Sequence, residues 1–200
     1  FIMAMMNFDE PLFFNTWKRL LSEKSFSEVF YQVIIPLLNE IGMLWQTNTI
    51  NPAHEHFISY LIRQKIHSAI EVEQAKEPVH TDKVFILFLP QGEIHEIGLM
   101  YLHYQIIQQG YKVVFLGSNI PVESLIDFNK HFDNCIFVSY FTVSPHLDDV
   151  DTYLNTLKKS VLLGNSKLWI AGRNTVNLSQ SQLPENIQVF SSIENLVDRI

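Results

Sequence analysis

Two hundred residues, 47% hydrophobic and 18% charged, describe a folded chain with one large core or two modest ones and exclude wholesale disorder. The formal net charge is −7, and the lysines and arginines are scattered, so no basic stripe is available for nucleic acid or anionic lipid. The apolar runs fall short of the ~18–20 residues that a membrane span needs, and one cysteine, Cys135, permits neither an internal disulfide nor a cysteine metal cluster.

The opening "FIMAMMNF" is apolar, but no charged segment precedes it and no cleavage signal follows. We therefore expect no signal peptide and a cytoplasmic setting. From residue 1 to about 78 the apolar spacing is helical, and Gly42 is the only glycine. Leu12, Phe13, Trp17, Leu20 and Leu21 recur at three- and four-residue steps, and the same period runs from Val29 to Trp45, with Pro36 a candidate kink. Asn51 and Pro52 open a further helix as N-cap and first helical residue, with Phe57, Leu61, Ile62, Ile66 and Ile70 as its buried stripe. These patterns predict a bundle of three or four helices over 1–78, ending in the linker "KEPVHTD".

From Lys83 the period changes. "KVFILFLP", "KVVFLG", "CIFVSYF", "KLWIAG" and "IQVFSS" are near-continuous apolar runs of the kind buried on both faces of a parallel sheet. Cys135 lies in one of them and is expected to be core. Helices are predicted at 96–109, 122–132, 147–162, near 175–181 and at 193–199. The fold class expected is therefore α/β, with a helical bundle ahead of a doubly wound, Rossmann-like sheet of five parallel strands over 82–200. His103, His131 and His146 are expected at the surface. Asp148, Asp149 and Asp151 read as helix-start acids and not as a metal site.

Ligands of such sheets bind beyond the carboxyl ends of the strands. "QGEIHEIG", Gln91 to Gly98, leaves the first strand there and carries His95 two residues after Glu93. One histidine cannot hold a bare zinc ion, which takes about four ligands. It can be an axial ligand to a metal already held by a macrocycle, with Glu93 fixing the tautomer and Gly98 giving a flat ligand room at the helix start. The same spacing also fits a solvated polar loop.

"EIHEIG" resembles the D-x-H-x-x-G signature of cobalamin-binding domains, with Glu93 replacing the aspartate. Ser139 in "VSYF" is similar to that family's S-x-L serine, with Phe141 in place of the leucine, and Ala171-Gly172 stands where the family has Gly-Gly. "GYKVVFLGSNIP" is similar to its second strand and loop through Gly117, Asn119 and Pro121. Upstream, "LWQTNTINPAHEHF" places Trp45, then nine intervening residues, then Glu55-His56. This resembles the W-x9-EH signature of the light-sensing cobalamin regulators of the MerR type, the CarH and LitR kind.

The resemblance implies adenosylcobalamin as cofactor and His95 as lower cobalt ligand. Ser139 and Gly172 would lie along a slot for the displaced nucleotide tail. Trp45 would cap the adenosyl group, Glu55 would accept ribose hydroxyls, and His56 could reach the upper face of cobalt once that group has left. Gln46 stands where the best-known light sensors carry a second histidine. The family implies a non-enzymatic repressor that oligomerises in the dark and meets DNA through an N-terminal winged helix-turn-helix, which we expect to precede this chain. Two other readings stay open: a corrinoid protein that carries methyl groups for methyltransferases, which shares the bundle, the fold and the loop histidine, and a cofactor-free interaction domain, in which the altered motifs mean that binding has decayed. As core filling, Trp45 would be unremarkable at the end of an apolar helix, and Glu55 would suit a helix dipole.

Overall fold

A computed structural model describes residues 1–200 and divides them into two compact units, Phe1–Lys65 and Ile66–Ile200. The first unit is helical: α1 (Ile2–Met6), α2 (Glu10–Glu23), α3 (Phe26–Val29), a π-helical segment Phe30–Ile34, α4 (Ile35–Gln46) and the start of α5 (Pro52–Gln74). The starts of α2, α3 and α5 are capped by short polar side chains, which satisfy otherwise unpaired helix amides. Asp9 accepts from the Leu12 amide at 2.9 Å, and Ser25 and Glu28 form a reciprocal capping box. Asn51 Oδ1 accepts from the amides of Ala53 and His54 at 3.0 and 3.3 Å, and the Asn51 amide donates back to His54 Nδ1 at 3.3 Å. Phe13, Trp17, Val29, Phe30, Ile34, Leu37, Ile41, Ile58, Leu61 and Ile62 form the interior of this unit. Leu12 and Leu21, predicted on the buried face, are exposed, because the buried stripe of α2 is the narrower one through Phe13 and Trp17. Pro36 sits in the first turn of α4, directly after the π-helical segment, where its missing N–H is tolerated.

The second unit holds β1 (His80–Pro90), α6 (Ile97–Gln108), β2 (Tyr111–Ile120), α7 (Phe128–His131), β3 (Cys135–Tyr140), α8 (Val150–Ser160), β4 (Lys167–Ala171), β5 (Ile187–Val189) and α9 (Ile193–Val197). All strands are parallel, in the order β2-β1-β3-β4-β5. Val84 to Pro90 are buried without interruption, as a central parallel strand demands. One face of the sheet carries Val84, Ile86, Phe88, Phe137 and Phe141 against Leu154 and Leu157 of α8 and Leu125. The other carries Phe85 against Tyr111 and Trp169, with α6 and α9 packed on it. Cys135 is buried, as expected.

Four sequence expectations need correction. The linker expected over 76–82 is shorter, since β1 already begins at His80. The helix expected over 122–132 is a 3-10 turn, Val122–Leu125, followed by the single turn α7. The one near 175–181 is replaced by 3-10 turns at Arg173–Thr175 and Gln180–Gln182. Connecting pieces of three or four residues commonly take 3-10 geometry. His103 is not at the surface. It is 6% exposed, and its ring stacks on Phe115 with centroids 5.1 Å apart. Burial, with a further contribution from His67, lowers its pKa to about 4.

The strand order places β2 on one side of β1 and β3 on the other. The chain therefore reverses its progress between β1 and β3, which creates a crevice at their carboxyl ends. The loops after Pro90 and Tyr140 flank that crevice.

Candidate functional site

Glu93 lies at the centre of the crevice loops and is fully buried. Its Oε1 accepts from the Ile94 amide at 2.9 Å, the His95 amide at 3.0 Å and His95 Nδ1 at 2.6 Å. Its Oε2 accepts from three consecutive amides of the β3–α8 loop, Thr142 at 2.9 Å, Val143 at 2.6 Å and Ser144 at 2.9 Å. Three successive N–H groups converging on one oxygen form an anion-binding nest. Burial raises the Glu93 pKa, but the His95 ring and the amides of Val143, His95 and Ser144 outweigh it and hold the group at about 2. A buried, ionised carboxylate is thus fully hydrogen-bonded, and it ties the β1 loop to the β3 loop.

With Nδ1 directed to Glu93, the tautomer that carries its proton there leaves coordination to Nε2. The His95 side chain is 50% exposed. Asn119 reinforces the same loop from β2: its Oδ1 accepts from the Gly92 amide at 2.8 Å, and its own amide donates to the Glu93 carbonyl at 3.2 Å. Asn119 holds φ +60° and Gly117 φ +81°, left-handed conformations that bend the end of β2 toward β1.

The remaining expected residues of this unit serve the frame. Ser139 is buried, and its hydroxyl donates to the Phe88 carbonyl at 2.8 Å, joining β3 to β1. Phe141 is fully buried in the core beside α8, its ring edge-on to Tyr153. Gly172 has φ +116°, and a Cβ there would lie 2.7 Å from the Phe141 nitrogen, so only glycine fits. Gly98 does not open onto free space. A Cβ at that position would meet Ile193 Cδ1 at 3.3 Å and Tyr140 Cδ1 at 3.5 Å, so its missing side chain lets α6 pack against β3 and α9.

In the helical unit, Trp45 occupies the last turn of α4, and Glu55 and His56 the first turns of α5. A tight connection joins them. Thr47 Oγ1 donates to the Met43 and Leu44 carbonyls at 3.1 and 3.2 Å, and Asn48 takes φ +54°. Trp45 is 48% exposed and so is not core filling. Glu55 Oε1 accepts from Ser59 at 2.9 Å. The His56 side chain is 74% exposed and lies 3.9 Å from Glu55. His54 is engaged elsewhere, in the Asn51 cap and stacked on Phe8. The structure brings Glu93, His95 and Asn119 together in the second unit; in the first, Trp45 stands in the last turn of α4, and Glu55 and His56 stand at the start of α5.

Residues 142–144 and Asn174 were not singled out in the sequence. The nest uses backbone amides, which carry no side-chain signal. Asn174, whose Nδ2 donates to the Val143 and Pro145 carbonyls at 3.1 and 2.9 Å, stands in a loop with no motif of its own.

The B12 binding domain family matches residues 1–68. The HTH-type transcriptional repressor CarH of Myxococcus xanthus is 26% identical over 122 residues, 61% of this chain and 40% of that protein. The HTH-type transcriptional repressor CarA of the same organism is 33% identical over 92 residues, 46% of this chain and 29% of that protein. The chain therefore spans well under half the length of either relative. Among solved structures, the monomethylamine corrinoid protein of Methanosarcina barkeri superposes with a TM-score of 0.70 at 14% identity, covering 91% of this chain and 86% of that one, which is a likeness of fold. The chain is thus similar, over part of its length, to the transcriptional repressors CarH and CarA, and its residues 1–68 match the B12 binding domain family.

Proposed function

We propose that this chain is the adenosylcobalamin-binding sensory region of a transcriptional repressor, with His95 as the lower cobalt ligand. The observation that carries this reading is the His95–Glu93 pair at 2.6 Å, at the switch point of the sheet. The donor set fits the group. No cluster of three or more His, Cys, Asp or Glu is assembled to hold a bare ion, so a single oriented imidazole suits a metal whose equatorial positions are filled by a macrocycle. When bound, the corrinoid supplies a cobalt–carbon bond that light can cleave.

Around that bond the chain's own residues orient and select. Glu93 holds the His95 tautomer. Trp45, solvent-exposed on one side, covers the adenosyl base, where an aromatic face buries up to ~150–250 Å². Glu55 accepts from the ribose hydroxyls. His56 is the candidate upper ligand after loss of the adenosyl group. Ser139 and Gly172 hold the ends of β3 and β4 beside the nucleotide tail. The sheet region over 82–200 carries the cofactor through His95, and the helices over 1–78 supply Trp45, Glu55 and His56. Assembly of several copies, DNA binding through a helix-turn-helix in another part of the protein, and relief of repression on photolysis follow from the same reading, as population shifts that the adenosyl form biases. The exposed indole favours an adenosyl cap over a methyl-carrier role.

The test is a pair of dark titrations followed by absorbance. The wild-type chain is expected to bind adenosylcobalamin more tightly than methylcobalamin. Trp45→Ala is expected to keep methylcobalamin binding and lose the preference. A wild-type chain that stays colourless after incubation with either form would overturn the reading.

A further inference from the structure

The hydrogen bonds that end on His95 do not begin at Glu93. Asn174, in the loop after β4, donates through Nδ2 to the Val143 carbonyl at 3.1 Å. That carbonyl belongs to the same peptide group as the Ser144 N–H, which donates to Glu93 Oε2 at 2.9 Å. Glu93 Oε1 in turn meets His95 Nδ1 at 2.6 Å. An unbroken chain of polar groups therefore runs from an asparagine beyond β4, through one peptide of the β3 loop and a buried carboxylate, to the imidazole beyond β1. In such a chain each bond polarises the next.

Asn174 also sits where it can hold the nest in shape. Its Nδ2 reaches the Pro145 carbonyl at 2.9 Å, and its own amide donates to the Phe141 carbonyl at 3.0 Å. Residues 141–145 are thus fastened on their carbonyl side by Asn174 and on their amide side by Glu93. The position of Asn174 is set by Gly172, whose φ of +116° no other residue tolerates beside Phe141, and by Thr175, whose hydroxyl donates to the Gly172 carbonyl at 2.8 Å.

We propose that Asn174 is a positioning residue for the axial histidine, acting through the 142–145 peptides and Glu93. It fixes which nitrogen of His95 carries the proton and how firmly the ring is held. This rests on the reading of His95 as a metal ligand, but its first test does not need the cofactor.

That test compares wild type, Asn174→Ala and Asn174→Asp, each without ligand, by nitrogen-resolved NMR of the histidine rings, assigned with His95→Gln. In wild type the His95 Nδ1 proton is expected to be visible and slow to exchange. Asn174→Ala removes the donor, and Asn174→Asp sets an acceptor against two carbonyls. Both are expected to speed exchange of that proton and move the ring nitrogen signals, with far-ultraviolet circular dichroism unchanged. Folded variants whose His95 signals match wild type would overturn the proposal, even if their thermal stability drops. Should Asn174→Ala fail to fold, the isosteric Asn174→Asp carries the test.

In the second arm, cobalamin affinity is expected to fall ~10-fold or more, as when outer partners of metal ligands are removed. Unchanged affinity in variants with disturbed His95 signals would overturn the metal-tuning part. If wild type itself binds no cobalamin, the functional reading fails while the NMR arm still decides the hydrogen-bond chain.

Discussion

Glu93 and His103 are both buried ionisable side chains, and they answer burial in opposite ways. Glu93 keeps its charge because five N–H groups and the His95 ring surround its two oxygens, so the desolvation cost is offset locally. His103 has an aromatic face beside it, and it stays neutral well below the ordinary histidine range, at about 4. At pH above 6.5 both folded and unfolded chains carry His103 neutral, so its contribution is constant there. As pH falls below 6.5 the unfolded chain takes up a proton that the folded chain refuses, down to about 4. Stability must therefore decline on acidification through this window, by about 2 kcal/mol between pH 7 and 5. Urea unfolding at the two pH values should show the decline in wild type and a smaller one in His103→Phe. Equal declines would mean that the histidine is protonated in place. The surface expectation for His103 failed for a legible reason. α6 is apolar nearly all round, so a single polar residue within it gives no phase, and Leu99 to Ile106 are all buried.

Among the elements, the connection between α4 and α5 shows most plainly how local sequence fixes the placement of the proposed cofactor residues. Asn51 caps α5 and His54 returns the bond, so the first turn that displays Glu55 and His56 begins at a fixed residue. Asn51→Ala should cost about 1 kcal/mol of stability and loosen that turn. Denaturant midpoints check the first effect, and faster amide exchange at Ala53 and His54 the second. No change in either would mean that the cap is not formed in solution. The β-strand cores, the N-cap and the buried character of Leu61, Ile62, Ile66 and Ile70 were readable, because each follows from periodicity or from a residue with one strong local preference. The short 3-10 turns were not, since three residues carry no period. The nest at 142–144 was not either, since backbone geometry leaves no side-chain signature. Glu93 and His95 were found as a pair, yet the second set of partners on Glu93 comes from residues some fifty positions away, a distance that no local pattern spans.

For the whole molecule, sheet order converts these local features into a site. Because β1 lies between β2 and β3, the loops that carry Asn119, Glu93 with His95, and residues 142–145 are neighbours, and β4 brings Asn174 behind them. The five-stranded parallel sheet was expected from the run of strands, and the crevice follows from the observed strand order. The homology to CarH and CarA and the B12 binding domain match over 1–68 agree with the family indicated by Trp45, Glu55 and His95. The central claim is one coordinate bond, and electron paramagnetic resonance tests it most directly. The chain is loaded with cob(II)alamin, once unlabelled and once with heavy-isotope nitrogen in its histidines. Cobalt bound by His95 should show a triplet superhyperfine pattern that turns into a doublet on labelling, and that histidine-derived pattern should be lost in His95→Ala. A triplet that labelling leaves unchanged would mean that the cofactor's own base holds the cobalt, and would contradict the account.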